Sequence, residues 1–167
     1  MPARRRRAPA GRRGQRRKLV WALSDVSTAV AAGGLANIDL LAPLEVAGAS
    51  KLGSTVMRIR GSIAVTWAST TDLSTMGLVV VRATDLGPGL GPNPSLAADR
   101  EVDWMWIYRF WSDTSGGADP IQKPFEIDVR SKRRVEEMDQ TLALQMANGN
   151  AATQTFKVFL RVLIALP

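Results

Sequence analysis

Residues 57–67 read MRIRGSIAVTW, and the alternation in this stretch sets the fold class. Met57, Ile59, Ile63, Val65 and Trp67 fall on alternate positions, with Gly61 the single gap, while Arg58, Arg60, Ser62, Ala64 and Thr66 take the other side. A period of two sends successive side chains to opposite faces of an extended chain. The stretch is therefore a long half-buried strand with one apolar face. Gly61 has nothing to pack and marks a bend. Arg58 and Arg60 share the polar face, where they are available to anions.

The same rhythm recurs outward from here. Val102, Trp104, Trp106, Tyr108 and Phe110 alternate with Asp103, Met105, Ile107 and Arg109. Phe125, Ile127 and Val129 alternate with Glu126, Asp128 and Arg130, and Leu142, Leu144 and Met146 follow. Phe156, Val158, Leu160, Val162 and Ile164 close the series. Leu78 to Val81 is an apolar, β-branched run suited to a strand covered on both faces. With Leu19–Leu23 and Leu35–Leu41 the count is about eight strands, separated by turn-rich segments at Thr70–Ser74, Gly87–Pro94, Ser112–Pro120 and Asn148–Asn150. Short helices are expected only at Ser95–Arg100 and Arg133–Asp139. With no strand–helix–strand rhythm and no internal repeat, the body is all-β, an antiparallel sandwich or barrel.

A chain of 167 residues, 46% hydrophobic, is one domain with a core large enough to need no staples. It contains no cysteine and no histidine, which removes disulfide frameworks, zinc fingers, cysteine nucleophiles, Ser-His-Asp triads and imidazole metal sites. No set of base, nucleophile and orienting group can be assembled from what remains, so no enzyme, cofactor or catalytic residue is expected. No apolar run is long enough to span a membrane, and none follows the charged N-terminus as a secretory signal requires. A soluble protein, intracellular at synthesis, is the expectation. Pro2, Pro9, Gly11 and Gly14 oppose the amphipathic helix of a mitochondrial presequence.

Charge divides the chain into an arm, residues 1–18, and a body, residues 19–167. The arm holds Arg4, Arg5, Arg6, Arg7, Arg12, Arg13, Arg16, Arg17 and Lys18 and no acid. The body carries 13 basic against 15 acidic residues, a net −2. Nine like charges with nothing apolar to collapse around leave the arm disordered on its own. Polyphosphate is the partner such an arm fits, because each neutralised phosphate releases condensed counterions. A nuclear import signal and a solubilising tail are the plainer readings.

A basic arm, ARRRRAPAGRRGQRRK at residues 3–18, leads into eight strands that end on TFKVFLRVLIAL at residues 155–166. In layout this resembles the single jelly-roll capsid proteins of small icosahedral viruses, among them circular single-stranded DNA viruses and small RNA satellite viruses. The resemblance spans the whole chain and is architectural, without a diagnostic binding motif. It implies an eight-stranded antiparallel jelly-roll sandwich whose arm lies on a single-stranded genome, DNA or RNA, inside a shell. It further implies self-association into a large homo-oligomer, residence in the virion, passage through the host nucleus or cytoplasm before assembly, and import receptors as possible partners of the arm.

Other features carry less. Asp99, Glu101 and Asp103 share a face if extended and could hold calcium between subunits, but the glycine and distal glutamate of a calcium loop are missing, and Arg100 and Arg109 can neutralise them. The glycines of residues 87–94 alternate with prolines, which offer no N–H to phosphate, so this is a stiff surface loop. The aromatic stripe of Trp104, Trp106, Tyr108 and Phe110 suits a core or subunit interface, with base stacking the alternative. Arg130-Ser-Lys-Arg-Arg134 reads as a loop or interface neutralised by Glu136, Glu137 and Asp139, with genome contact or an import signal as alternatives.

Three function classes remain: a shell protein packaging nucleic acid, a non-viral nucleic-acid-binding β-barrel module of ribosomal or architectural type, and a carbohydrate-binding or accessory sandwich. The module should be basic on a face of its body, and a net −2 speaks against that. The accessory domain leaves the arm unexplained.

Overall fold

A computed structural model describes residues 17–67, 73–82, 104–111, 121–149 and 152–167. Its strands are β1 (Leu19–Val30), β2 (Leu35–Asp39), β3 (Thr55–Trp67), β4 (Leu73–Arg82), β5 (Trp106–Trp111), β6 (Ile121–Arg134), β7 (Gln140–Ala147) and β8 (Gln154–Ala165), with one short helix, α1 (Ala42–Val46). Most of the arm, the helix expected at 95–100, the proline–glycine loop, the 112–120 turn and the acids Asp99, Glu101 and Asp103 lie outside the described residues.

The chain is a long hairpin rolled upon itself. β1 pairs with β8, β2 with β7, β3 with β6 and β4 with β5, all antiparallel. Pairing of β3 with β8 and of β4 with β7 then closes two four-stranded sheets, in the orders β1-β8-β3-β6 and β2-β7-β4-β5. This is the jelly-roll arrangement of a sandwich. The first sheet packs Ile59, Ile63 and Val65 of β3 and Phe156, Val158, Leu160, Val162 and Ile164 of β8 against the second, which contributes Met76, Leu78, Leu142, Leu144 and Met146. β8 lies between β1 and β3. β4 and β7, central in their own sheet, are buried on both sides: Thr75, Val79, Ala143, Gln145 and Ala147 are buried on the face away from the core. Trp104 packs there against Val79 and Ala143.

Several details depart from the sequence reading. The β3 register shifts between Val56 and Arg58, a bulge that turns Val56 fully inward and leaves Met57 only half-buried. Residues 130–134 are not a loop but the last part of β6. Two of the acids expected to neutralise them engage Arg82 instead, whose Nε donates to Glu137 at 2.6 Å and lies 3.6 Å from Asp139. No helix forms at 133–139, because β6 continues through Arg134 before the chain turns into β7. A helix forms at α1, unannounced by any long period, with Pro43 in its first turn and Leu44 buried. The Asp39 carboxylate accepts from the Leu41 amide at 2.7 Å and from the Thr141 hydroxyl, stopping β2 short of Leu41. The aromatic strand begins at Trp106, and its stripe faces inward at the seam between β5 and β6. Phe110 is buried 4.8 Å from Phe125, and Tyr108 lies 5.1 Å from the same ring.

Two points hold the roll in register. Asn148, fully buried, directs its side-chain amide to the carbonyls of Val30, Ala31 and Ala152 at 2.8–3.0 Å, tying the β1–β2 turn to the β7–β8 turn. Gly61, at φ +145°, holds a backbone conformation that residues with a side chain rarely adopt, and a Cβ there would stand 2.0 Å from the Phe159 carbonyl oxygen. Backbone on a central strand cannot move aside as a flexible side chain can. Gly61→Ala is therefore expected to destabilise by about 1–3 kcal/mol or more through backbone strain. Asn148→Ala, which strands buried carbonyls, should cost about 1–3 kcal/mol. Ile63→Ala should cost about 2–5 kcal/mol. Urea unfolding checks all three, and a loss within error of zero at Ile63 contradicts the core described here.

Candidate nucleic-acid interface

The face of the β1-β8-β3-β6 sheet turned away from the core is where the body concentrates its positive charge. Strand alternation and register place Arg58, Arg60, Arg130, Lys132, Arg134, Lys157 and Arg161 on that side, against Asp25, Glu126 and Asp128. A body that is net acidic thus presents one predominantly basic face. Net charge, which counts residues without regard to side, hid this segregation.

Cross-strand register pairs the arginines with one another. Arg60 stands directly opposite Arg161 on one side and Asp128 on the other, and Arg58 stands opposite Arg130. Like charges directly opposite cost stability. Asp128 offsets part of that cost. Arg58 donates to its carboxylate through two nitrogens, at 2.7 Å and 2.5 Å, and Arg60 Nε is 3.7 Å away. The hydrogen bond from Arg58 holds the Asp128 carboxyl below its ordinary range, aided by the charges of Arg58, Arg60 and Arg130, and the same contact raises Arg58 further. Arg161 packs instead on an aromatic ring, its guanidinium carbon 5.6 Å from the Phe159 centroid.

Both arginines singled out in β3 are therefore on the face expected of them. Arg58 is committed to Asp128, and Arg60 is more open to solvent. Of the arm, the described part is Arg17 and Lys18, which already belong to the margin of this sheet. Arg17 donates to the Thr55 hydroxyl at 3.1 Å, and the Lys18 carbonyl accepts from the Leu166 amide at 2.8 Å. The remaining arm residues lie outside the described part, as does the Asp99–Asp103 cluster. Trp21, Phe159 and Arg161, which the sequence did not single out for binding, also belong to this face. They lie on strands far apart in the chain, and the outward alternation of the first and last strands was the signal available.

No protein-family model matches the chain, and no curated protein matches it in sequence. Among solved structures it is similar to the coat protein of Tobacco streak virus, at 14% identity over 89% of this chain and 87% of that one, TM-score 0.41. It is similar also to a structure of Desmodium yellow mottle tymovirus, at 11% identity over 98% and 94%, TM-score 0.33. A third likeness is to the VP2 subviral particle of infectious bursal disease virus, at 14% identity over 89% of this chain and 32% of that one, TM-score 0.31. The jelly-roll assignment rests on the strand order and register described above.

The Arg58–Asp128 contact has a pH signature. Because the folded-state carboxyl titrates below its unfolded value of about 3.9, its stabilising contribution is present above that pH and is lost as pH falls through the folded value. Asp128→Asn is expected to lower the melting temperature at neutral pH, and the difference from wild type should shrink progressively below about pH 4. A difference that stays constant down to pH 2 rules this contact out as its source.

Proposed function

We propose that this chain is a viral shell protein, which assembles with copies of itself into a closed icosahedral particle and holds single-stranded nucleic acid through its arginine-rich arm. The observation that carries the reading is the junction of two features. An acid-free run of nine basic residues feeds directly into the edge strand of a jelly-roll sheet whose outward face is itself basic. Arg17 and Lys18, the last residues of the arm, lie at the margin of that face, so one surface of each subunit would meet the polyanion.

Closed assemblies form from identical self-complementary patches, and the smallest icosahedral case takes roughly sixty copies. Nine charges per arm then place on the order of 540 positive charges inside. Arg4–Arg7, Arg12, Arg13, Arg16, Arg17 and Lys18 would bind phosphate, with Arg60 and Arg58 in support. Subunit contacts would use the edge strands, β1 and β6 of one sheet and β2 and β5 of the other, which among the described residues pair with a strand on one side only. The protein would reside in the virion, with passage through the nucleus or cytoplasm beforehand and the arm also able to serve an import receptor. A structural role of this kind requires no catalysis.

A second reading, a nucleic-acid-binding module acting without a shell, is favoured by the basic face alone. Electron microscopy and light scattering across a salt series separate the two. The full chain should give closed particles of uniform size with raised absorbance at 260 nm, and cargo should be lost as salt rises. Removing residues 1–16, which leaves the Arg17 and Lys18 contacts intact, should leave folded protein that retains little nucleic acid. A chain that stays monomeric at high concentration, in low salt and with nucleic acid present, contradicts the shell and supports the module.

A further inference from the structure

We infer that the outward face of the β1-β8-β3-β6 sheet contains a base-stacking site for single-stranded nucleic acid, with Trp21 and Phe159 as platforms and Arg60 and Arg161 as the phosphate seat between them. This deepens the reading of the chain as a nucleic-acid carrier and rests on it.

The site is a shallow depression of about 440 Å³, lined by Trp21, Arg60, Gly61, Glu126, Phe159 and Arg161 among others. Trp21 is 52% exposed and Phe159 39% exposed, on a face otherwise rich in charge. Burying such rings in the core would have been favourable, so their outward placement leaves apolar area in water that a ligand can cover. Register sets their spacing. Phe159 faces Asp25 on β1 and Trp21 faces Leu163 on β8, so the rings stand at opposite ends of the depression and Arg161 lies between them on β8. Directly across from Arg161 is Arg60. Gly61, which has no side chain, forms part of the lining beside them.

Charge selects the occupant. Two guanidinium groups held opposite one another favour an anion; the carboxylates in the lining are Asp128 and Glu126, the latter opposite Ser62 and not an arginine. Asp128 lies near Arg60 but is engaged by Arg58, and among the described residues no carboxylate forms an ion pair with Arg161. A second copy of the chain is a poor occupant: a two-fold contact centred on this depression would set Arg60 and Arg161 against their own counterparts. A single strand meets every requirement, since its unpaired bases expose faces for Trp21 and Phe159 and its phosphate supplies the anion. A duplex hides those faces. The depression lies on the same sheet as Arg17 and Lys18, so a strand held by the arm is delivered to it.

The test uses the full chain, so that the arm contributes equally in every arm of the comparison. Short oligothymidylate, oligouridylate, a DNA duplex and inorganic polyphosphate are titrated across a salt series while tryptophan fluorescence is read. Both single strands should quench fluorescence, the duplex and polyphosphate should not, and the quench should vanish in Trp21→Phe, which keeps a ring but removes the indole. Trp21→Ala should weaken oligonucleotide binding about fivefold or more, the usual loss for one stacked base, with polyphosphate binding unchanged. Arg161→Gln should reduce the salt dependence of oligonucleotide binding by about one ion, and its melting temperature should not fall, because it relieves the arginine pair. Tight oligonucleotide binding with no change in either Trp21 variant overturns the stacking site and leaves the arm as the carrier. Absence of any nucleic-acid binding overturns both readings. A concentration-dependent gain in mass that Trp21→Ala abolishes without affecting oligonucleotide binding assigns the face to a second copy and overturns the site. A Trp21 response to anionic lipid vesicles but not to oligonucleotide assigns it to a membrane surface, with the same result.

Discussion

β8 is the strand on which the molecule depends. It is flanked over nearly its whole length by β1 and by β3, the two ends of the chain being brought together by the first of these ladders. Every inward residue from Phe156 to Ile164 is buried, so the last strand supplies the floor of the core and cannot be added late without leaving that core open. Most pairings join strands distant in sequence, which makes ordering the chain entropically costly before the contacts repay it. Asn148 and Gly61 are consequences of this dependence. One clamps the two turns that deliver β8 to β1, and the other takes a positive φ in β3 where a Cβ would strike the β8 backbone.

A strand buried on one face and exposed on the other obliges its outward residues to be tolerable in water. On β3 and β8 those residues are arginine, lysine, serine and threonine, together with Phe159 and the half-buried Leu163. Putting the cations of β3, β6 and β8 side by side creates a field that no single strand has. It also creates the opposed arginines, a local cost that Asp128 meets at one end of the row. The opposite sheet follows another course. Its central strands are buried on both faces and carry uncharged residues where charge would be stranded. The two sheets are thus chemically unlike, one presenting a basic exterior and the other concealed at its centre.

The elements that were legible from sequence are those whose period is unambiguous. The inward positions of β3, β6 and β8 read correctly because apolar residues recur at every second place. Where the reading failed, a nonlocal contact decided the outcome. The bulge before Arg58 is set by pairing with two neighbours at once, and Met57 loses the core position its parity assigned. The basic run at 130–134 remains in the strand because β3 and the β6 ladder hold it there, while Arg82, distant in sequence, takes Glu137. Helix α1 is five residues long, too short for a period of 3.6 to declare itself.

Composition and alternation by themselves determined that the chain is all-β, that it has no cysteine or histidine chemistry, and that its positive charge begins as a dense N-terminal run. These are local properties, fixed by which residues occur and at what spacing. Tertiary structure decided which side of which sheet each charge occupies and who its neighbours are. Trp21 and Phe159 are separated by most of the chain, and neither stretch refers to the other. They line one depression only because β1 and β8 pair in a particular register, and register is a property of two strands together, set by the buried face they share.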